Sequence, residues 1–167
     1  AGSSAGYLDH TTGTSAKFNR PFGITTDGTN LYVADSVNQR IRKIVISTGA
    51  VTTLAGTGSA CNSNISTGCD NPTGTSASFN VPYGITTDGT NLYVADTENH
   101  RIRKIVISTG AVTTLAGDGS QGLGDHTTGT SATFTYPHGI TTDGTNLYVT
   151  DTNNHRIRKI VISTGVV

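Results

Sequence analysis

The run Gly-Ile-Thr-Thr-Asp-Gly-Thr-Asn-Leu-Tyr-Val occurs three times without a change, at positions 23–33, 84–94 and 139–149. Each copy is followed by Ile-Arg-Lys-Ile-Val-Ile-Ser-Thr-Gly, at 41–49, 102–110 and 157–165. Successive copies start 61 and 55 residues apart. That spacing is in the range of four-stranded propeller blades and too long for a leucine-rich or tetratricopeptide unit, with periods of about 20–34.

Within the second copy, residues 83–87 read as an innermost strand, and Asp88-Gly89-Thr90-Asn91 as a hairpin turn, because Gly accepts positive φ. Strands over 92–96, 101–108 and 111–116 follow, separated by turns at 97–100 and 108–110. The consecutive apolar residues Leu92, Tyr93 and Val94, and again Ile105, Val106 and Ile107, call for cover on both faces of the sheet. Blades stacked side by side provide it. The expected fold is therefore all-β, with three blades of four antiparallel strands at about 19–56, 80–117 and 135–167, the last lacking most of its outer strand.

Composition narrows the function classes. Charged residues make up 13% of the chain and the formal net charge is zero, so the field expected of a dedicated nucleic-acid binder is missing. The longest apolar runs fall far short of the ~20 residues of a spanning helix, and no membrane insertion is expected.

These units resemble NHL repeats. Asn99-His100-Arg101 and Asn154-His155-Arg156 follow Val-(Ala/Thr)-Asp and precede Ile-Arg-Lys, with Pro-x-Gly-Ile upstream at 82–85 and 137–140. The first copy departs with Asn38-Gln39-Arg40, and Arg replaces the motif's Leu in all three. The resemblance implies a β-propeller. It leaves function open, since that family spans enzymes, RNA binders and extracellular scaffolds.

Propellers close with roughly 4 to 8 blades, so three blades imply neighbours. Those are either a second copy joined head to tail in a six-bladed ring, further repeats of a longer parent chain, or an open fibre of copies.

Candidate chemistry is sparse. Cys61 and Cys69 lie in the polar loop at 57–78 that carries the six-residue excess of the 61-residue spacing, and are expected to form a disulfide. Metal ligation and a redox pair are the alternatives, and both lack the usual ligand number or Cys-x-x-Cys spacing. Asn64-Ile65-Ser66 inside the loop matches a glycosylation acceptor. Asp35, Asp96 and Asp151 are expected to pair with Arg40, Arg101 and Arg156 across the second hairpin and to fix its turn. His100 and His155 are expected to hydrogen-bond within their own blades. Phe22, Tyr83 and His138 share one position of the innermost strands and form the candidate binding site at a channel mouth, rimmed by Asp9-His10, Asp70-Asn71 and Asp125-His126. All five histidines are expected near that mouth.

The function expected is a non-catalytic propeller scaffold for protein or ligand interaction or surface assembly, secreted, at the cell surface or periplasmic. It needs no cofactor, and its partners are further copies or repeats, another surface protein, or a glycan. A metal-dependent lyase or lactonase at the channel mouth is the enzyme alternative. RNA binding through the Arg-x-Arg-Lys strands is the other, disfavoured because aromatic residues are scarce at 6%.

Overall fold

The structure, a computed structural model, describes residues 1–61 and 69–167. The glycosylation pattern at Asn64 lies outside the described residues.

Each repeat folds into its own antiparallel sheet. Blade 1 is β1 (Pro21–Thr26), β2 (Asn30–Asp35), β3 (Arg40–Val45) and β4 (Val51–Ala55); blade 2 is β5 (Pro82–Thr87), β6 (Asn91–Asp96), β7 (Arg101–Val106) and β8 (Val112–Ala116). Blade 3 is the three-stranded sheet β9 (Pro137–Thr142), β10 (Asn146–Asp151) and β11 (Arg156–Val161). Val167 nevertheless donates its N–H to the His126 carbonyl, as Val112 does to Asn71, so residues 166–167 hold the first outer-strand positions.

The repeated Asp explains the first turn. Asp88 accepts the N–H groups of Thr90 and Asn91 at 2.8 and 2.6 Å and the Tyr93 hydroxyl at 2.7 Å, while Gly89 takes φ +88°. Asp27 with Tyr32 and Asp143 with Tyr148 repeat the arrangement at 2.7 and 2.9 Å. The hydrogen bonds favour the ionised carboxyl, lowering the Asp88 pKa to about 2 against the opposing effect of burial. Burial, together with Asp27, raises the Tyr32 hydroxyl to about 12.

Alternation along β2 sends Tyr32 and Ala34 to one face and Leu31 and Val33 to the other. Tyr32, Ala34, Ile41 and Ala55 of blade 1 meet Phe79, Ile85, Leu92, Val94 and Ile105 of blade 2 in one cluster. Tyr93, Ala95, Ile102 and Ala116 meet Phe134, Leu147, Val149 and Ile160 in the same way. The core is thus two seams between blades. The innermost strands approach so closely that a Cβ on Gly23 would strike the Tyr83 carbonyl, and one on Gly84 the His138 carbonyl. The Pro-x-Gly pattern is the sequence mark of that approach.

Candidate functional site

Three features recur in every blade, and the strongest candidate site joins all three blades at their inner edge. The Phe22 and Tyr83 rings stack with centroids 4.2 Å apart and an interplanar angle of 14°, and Tyr83 stacks on His138 at 4.7 Å and 15°. These three residues share one repeat position, and the structure brings them into a continuous ladder. Phe22 is 48% exposed and the other two are half-buried, and since stacking covers both faces of Tyr83, the ladder meets solvent along its edges.

The expected rim is elsewhere. His10 exchanges backbone hydrogen bonds with Val51, and Asn71 with Val112, both on outer strands. The segments carrying Asp9-His10, Asp70-Asn71 and Asp125-His126 therefore run along the perimeter, away from the ladder. The physical reason is hydrogen bonding, since the incoming chain satisfies the free edge of the outer strand before crossing to the next inner strand. His10 and His126 accept the N–H of Thr12 and Thr128 at Nδ1, both at 2.9 Å, the place Asn71 Oδ1 takes for Thr73. The five histidines thus do not converge on one mouth.

The aspartates of those segments hold a buried arginine. Arg103 lies between Asp96 at 2.7 Å and Asp70 at 2.6 Å. Arg158 lies between Asp151 at 2.9 Å and Asp125 at 2.5 Å, and Arg42 between Asp35 at 2.8 Å and Asp9. Each guanidinium also faces a phenylalanine ring, with Arg103 5.2 Å from the Phe79 centroid. This corrects the expected pairing. Asp35, Asp96 and Asp151 do stand opposite Arg40, Arg101 and Arg156 in the register, but the ion pairs go two residues further, to Arg42, Arg103 and Arg158. Both arginines of each blade point to one face of their strand, where Arg40 lies 3.7 Å from the Tyr7 ring centroid, and the second is the one that bonds the Leu8, Cys69 or Gly124 carbonyl beside the segment's own aspartate. Arg40 and Arg101 bond the Thr57 and Asp118 carbonyls instead, both beyond the outer strand. The motif asparagine supports the same carboxylate, Asn99 Nδ2 donating to Asp96 at 2.8 Å. Arg42, Arg101, Arg103 and Arg158 are thus enclosed, while Arg156 and Lys159 of the third Arg-x-Arg-Lys strand are exposed.

The turn residue Gln39, His100 or His155 has left-handed backbone, with φ of 54°, 54° and 56°. The side chains of Gln39 and His100 bond across to the next blade, not within their own as expected of His100, while His155 is exposed. Gln39 Oε1 accepts the Val81 N–H at 2.6 Å, and His100 Nδ1 the Tyr136 N–H at 3.3 Å. Burial holds the His100 pKa below its ordinary value, only partly offset by Glu98 and Asp151.

Cys61 and Cys69 form a disulfide with Cα atoms 5.9 Å apart. Cys61 donates to the Phe79 carbonyl as Gly6 does to Phe18 and Gly122 to Phe134, so the bridge closes the base of the insertion and keeps the flanking chain in register. Among the described residues, no group of three or more His, Cys, Asp or Glu side chains could hold a metal ion, and no helix is long and apolar enough to cross a membrane.

Comparison with known proteins places this geometry. Residues 8–108 match the family model described as the Teneurin NHL domain, and residues 134–160 match the NHL repeat. NHL repeat-containing protein 2 of Homo sapiens is 34% identical over 91% of this chain, and the chain spans 22% of that relative's length. An auxiliary nutrient binding protein of Bacteroides thetaiotaomicron shares 25% identity at a TM-score of 0.67, over 86% of this chain and 37% of its own. Virginiamycin B lyase of Staphylococcus aureus shares the fold at a TM-score of 0.53 and 20% identity, over 90% of this chain and 44% of its own.

Proposed function

The chain belongs to the NHL-repeat family, and from that premise we propose that it is a non-catalytic propeller scaffold that binds its ligand on the inner-edge ladder of Phe22, Tyr83 and His138. The observation that carries this reading is the unbroken stack, 4.2 Å and then 4.7 Å between centroids, left partly open to solvent. The row of ring edges offers apolar contact to a sugar ring or another aromatic side chain, and His138 adds a polar contact at one end. A glycan or a surface protein is the partner class this favours. The similarity to a nutrient binding protein supports binding over turnover. The disulfide supports an oxidising compartment, outside the cell or in a periplasm.

A glycan array probed with the purified chain tests the reading. Retention on a defined set of neutral glycans, lost in both Phe22→Ala and Tyr83→Ala while far-UV circular dichroism is unchanged, is the expected result. Retention equal in the variants, no retention on any glycan, or stoichiometric zinc in the purified protein would overturn it.

A further inference from the structure

The two seams inside the chain are a template for judging its two end faces. Ile41 and Ile102 are fully buried in seams, whereas the equivalent Ile157 on blade 3 is 68% exposed. On the opposite side, Ile85 is 6% exposed while its blade 1 equivalent Ile24 is 59% exposed. Ala16, Val33, Ile44 and Val51, with Phe18 and Leu31 against them, form half of a seam cluster. A groove of about 250 Å³ lies over Phe18, Pro21, Ile24, Leu31, Val33 and Ile44, and another of about 320 Å³ over Ile140, Tyr148, Val149 and Ile157.

The polar groups at the two faces are complementary as well. In the internal seams, Ser36 Oγ donates to the Pro82 carbonyl at 2.5 Å and Thr97 Oγ1 to the Pro137 carbonyl at 2.7 Å. Gln39 and His100 accept from Val81 and Tyr136, which have φ of 52° and 53°. Blade 3 presents the same donor and acceptor, Thr152 and His155, both exposed. Blade 1 presents the same receivers, Pro21 and Arg20, also exposed, and Arg20 has φ 49°.

We propose that the blade 3 face docks onto the blade 1 face of a second copy of this chain, rebuilding the internal seam. Thr152 Oγ1 then donates to the Pro21 carbonyl of the second copy, and His155 Nδ1 accepts its Arg20 N–H. Tyr148 and Ile157 cover the groove over Ile24 and Val33. The occupant is a second copy because the covering surface must carry the Tyr, Ile, hydroxyl and turn-acceptor pattern of Tyr32, Ile41, Ser36 and Gln39, and the chain's other end carries it. One residue departs from the template. Thr150 replaces Ala34 and Ala95, and its hydroxyl accepts the Gly139 N–H at 2.7 Å within its own blade, so it brings no unpaired polar group to the seam. The contact is heterologous, and two copies that meet at both ends make a closed ring within the ~4–8 blades of propellers.

Light scattering on the chain and two end-face variants tests this. The unaltered chain is expected at twice its 17.2 kDa mass. Ile157→Glu and Ile24→Glu, each changing an exposed residue, are each expected as folded monomers by circular dichroism. Their equimolar mixture is expected to recover the doubled mass, since each variant retains the face the other has lost. A monomeric unaltered chain, an oligomer from either variant alone, or a mixture that stays monomeric would overturn the proposal.

Discussion

His100 Nδ1 accepts the backbone N–H of Tyr136 at 3.3 Å, tying a turn of blade 2 to the residue that precedes the inner strand of blade 3. The same two rings meet edge to face with centroids 4.9 Å apart. One seam earlier, Gln39 and Val81 make the equivalent bond at 2.6 Å. A neutral imidazole can accept this bond at Nδ1, and an imidazolium cannot.

Acid should therefore weaken the second seam before the first. The His100 pKa lies below its ordinary 6.5 in the folded protein, chiefly through burial, with Arg101 acting in the same direction and Glu98, Asp151 and Asp96 opposing. The unfolded chain then binds the proton more readily. Stability is fully present above about pH 6.5 and is lost as pH falls from there through the folded value. Urea midpoints at pH 7.5 and 5.5 should differ in the natural chain and differ less in His100→Gln, which installs the acceptor already used at Gln39. Equal pH dependence in the two proteins would contradict the assignment.

Arg103 is enclosed between Asp96 and Asp70, with Asp96 fully buried. Replacing it with Met leaves a buried carboxylate without its cation, and the expected cost is about 3–5 kcal/mol by urea denaturation. Arg101→Met removes the side chain directly opposite Asp96 in the register and should cost less, because the ion pair survives. The reverse order of costs would restore the register-based pairing.

Gly84 and Gly89 separate close approach from backbone conformation. A Cβ at 84 meets the His138 carbonyl of the next blade, which cannot move without parting the seam. At 89 the space is open but φ is +88°. Gly89→Ala should cost about 1–2 kcal/mol, the ordinary penalty for positive φ. Gly84→Ala should cost more and should shift the Tyr83 and His138 ring resonances, which Gly89→Ala leaves in place.

Cys61→Ser with Cys69→Ser opens a loop with a sequence separation of 8. The entropic estimate puts the loss at about 2–3 kcal/mol. Reducing agent should lower the thermal midpoint of the natural chain to that of the double variant and leave the double variant unchanged.

The repeats made much of the fold readable. The Asp-Gly turn, the apolar runs along β6 and β7 and the Pro-x-Gly approach all depend on residues within one unit. The ladder could be read for the same reason, since Phe22, Tyr83 and His138 are equivalent positions and equivalent strands stack. Misread features depend on segments far apart in sequence. Asp96 finds Arg103 rather than Arg101 because Cys69 and Asp70 arrive alongside β7 from more than thirty residues away. His10 and His126 follow the outer edge because that is where a strand lacks a partner, and no local pattern marks it. The seam bond of His100 needs both a turn geometry and its neighbour's position, so the sequence pointed only to the turn.

Amide hydrogen exchange at Arg20, Val81 and Tyr136 tests the seam account most directly. Val81 and Tyr136 should be protected at every concentration, each bonded to the turn residue of the preceding blade. Arg20 should exchange quickly in dilute protein and slow as concentration rises, when His155 of another copy reaches it. Fast exchange at Val81 and Tyr136, or an Arg20 rate indifferent to concentration, would contradict it.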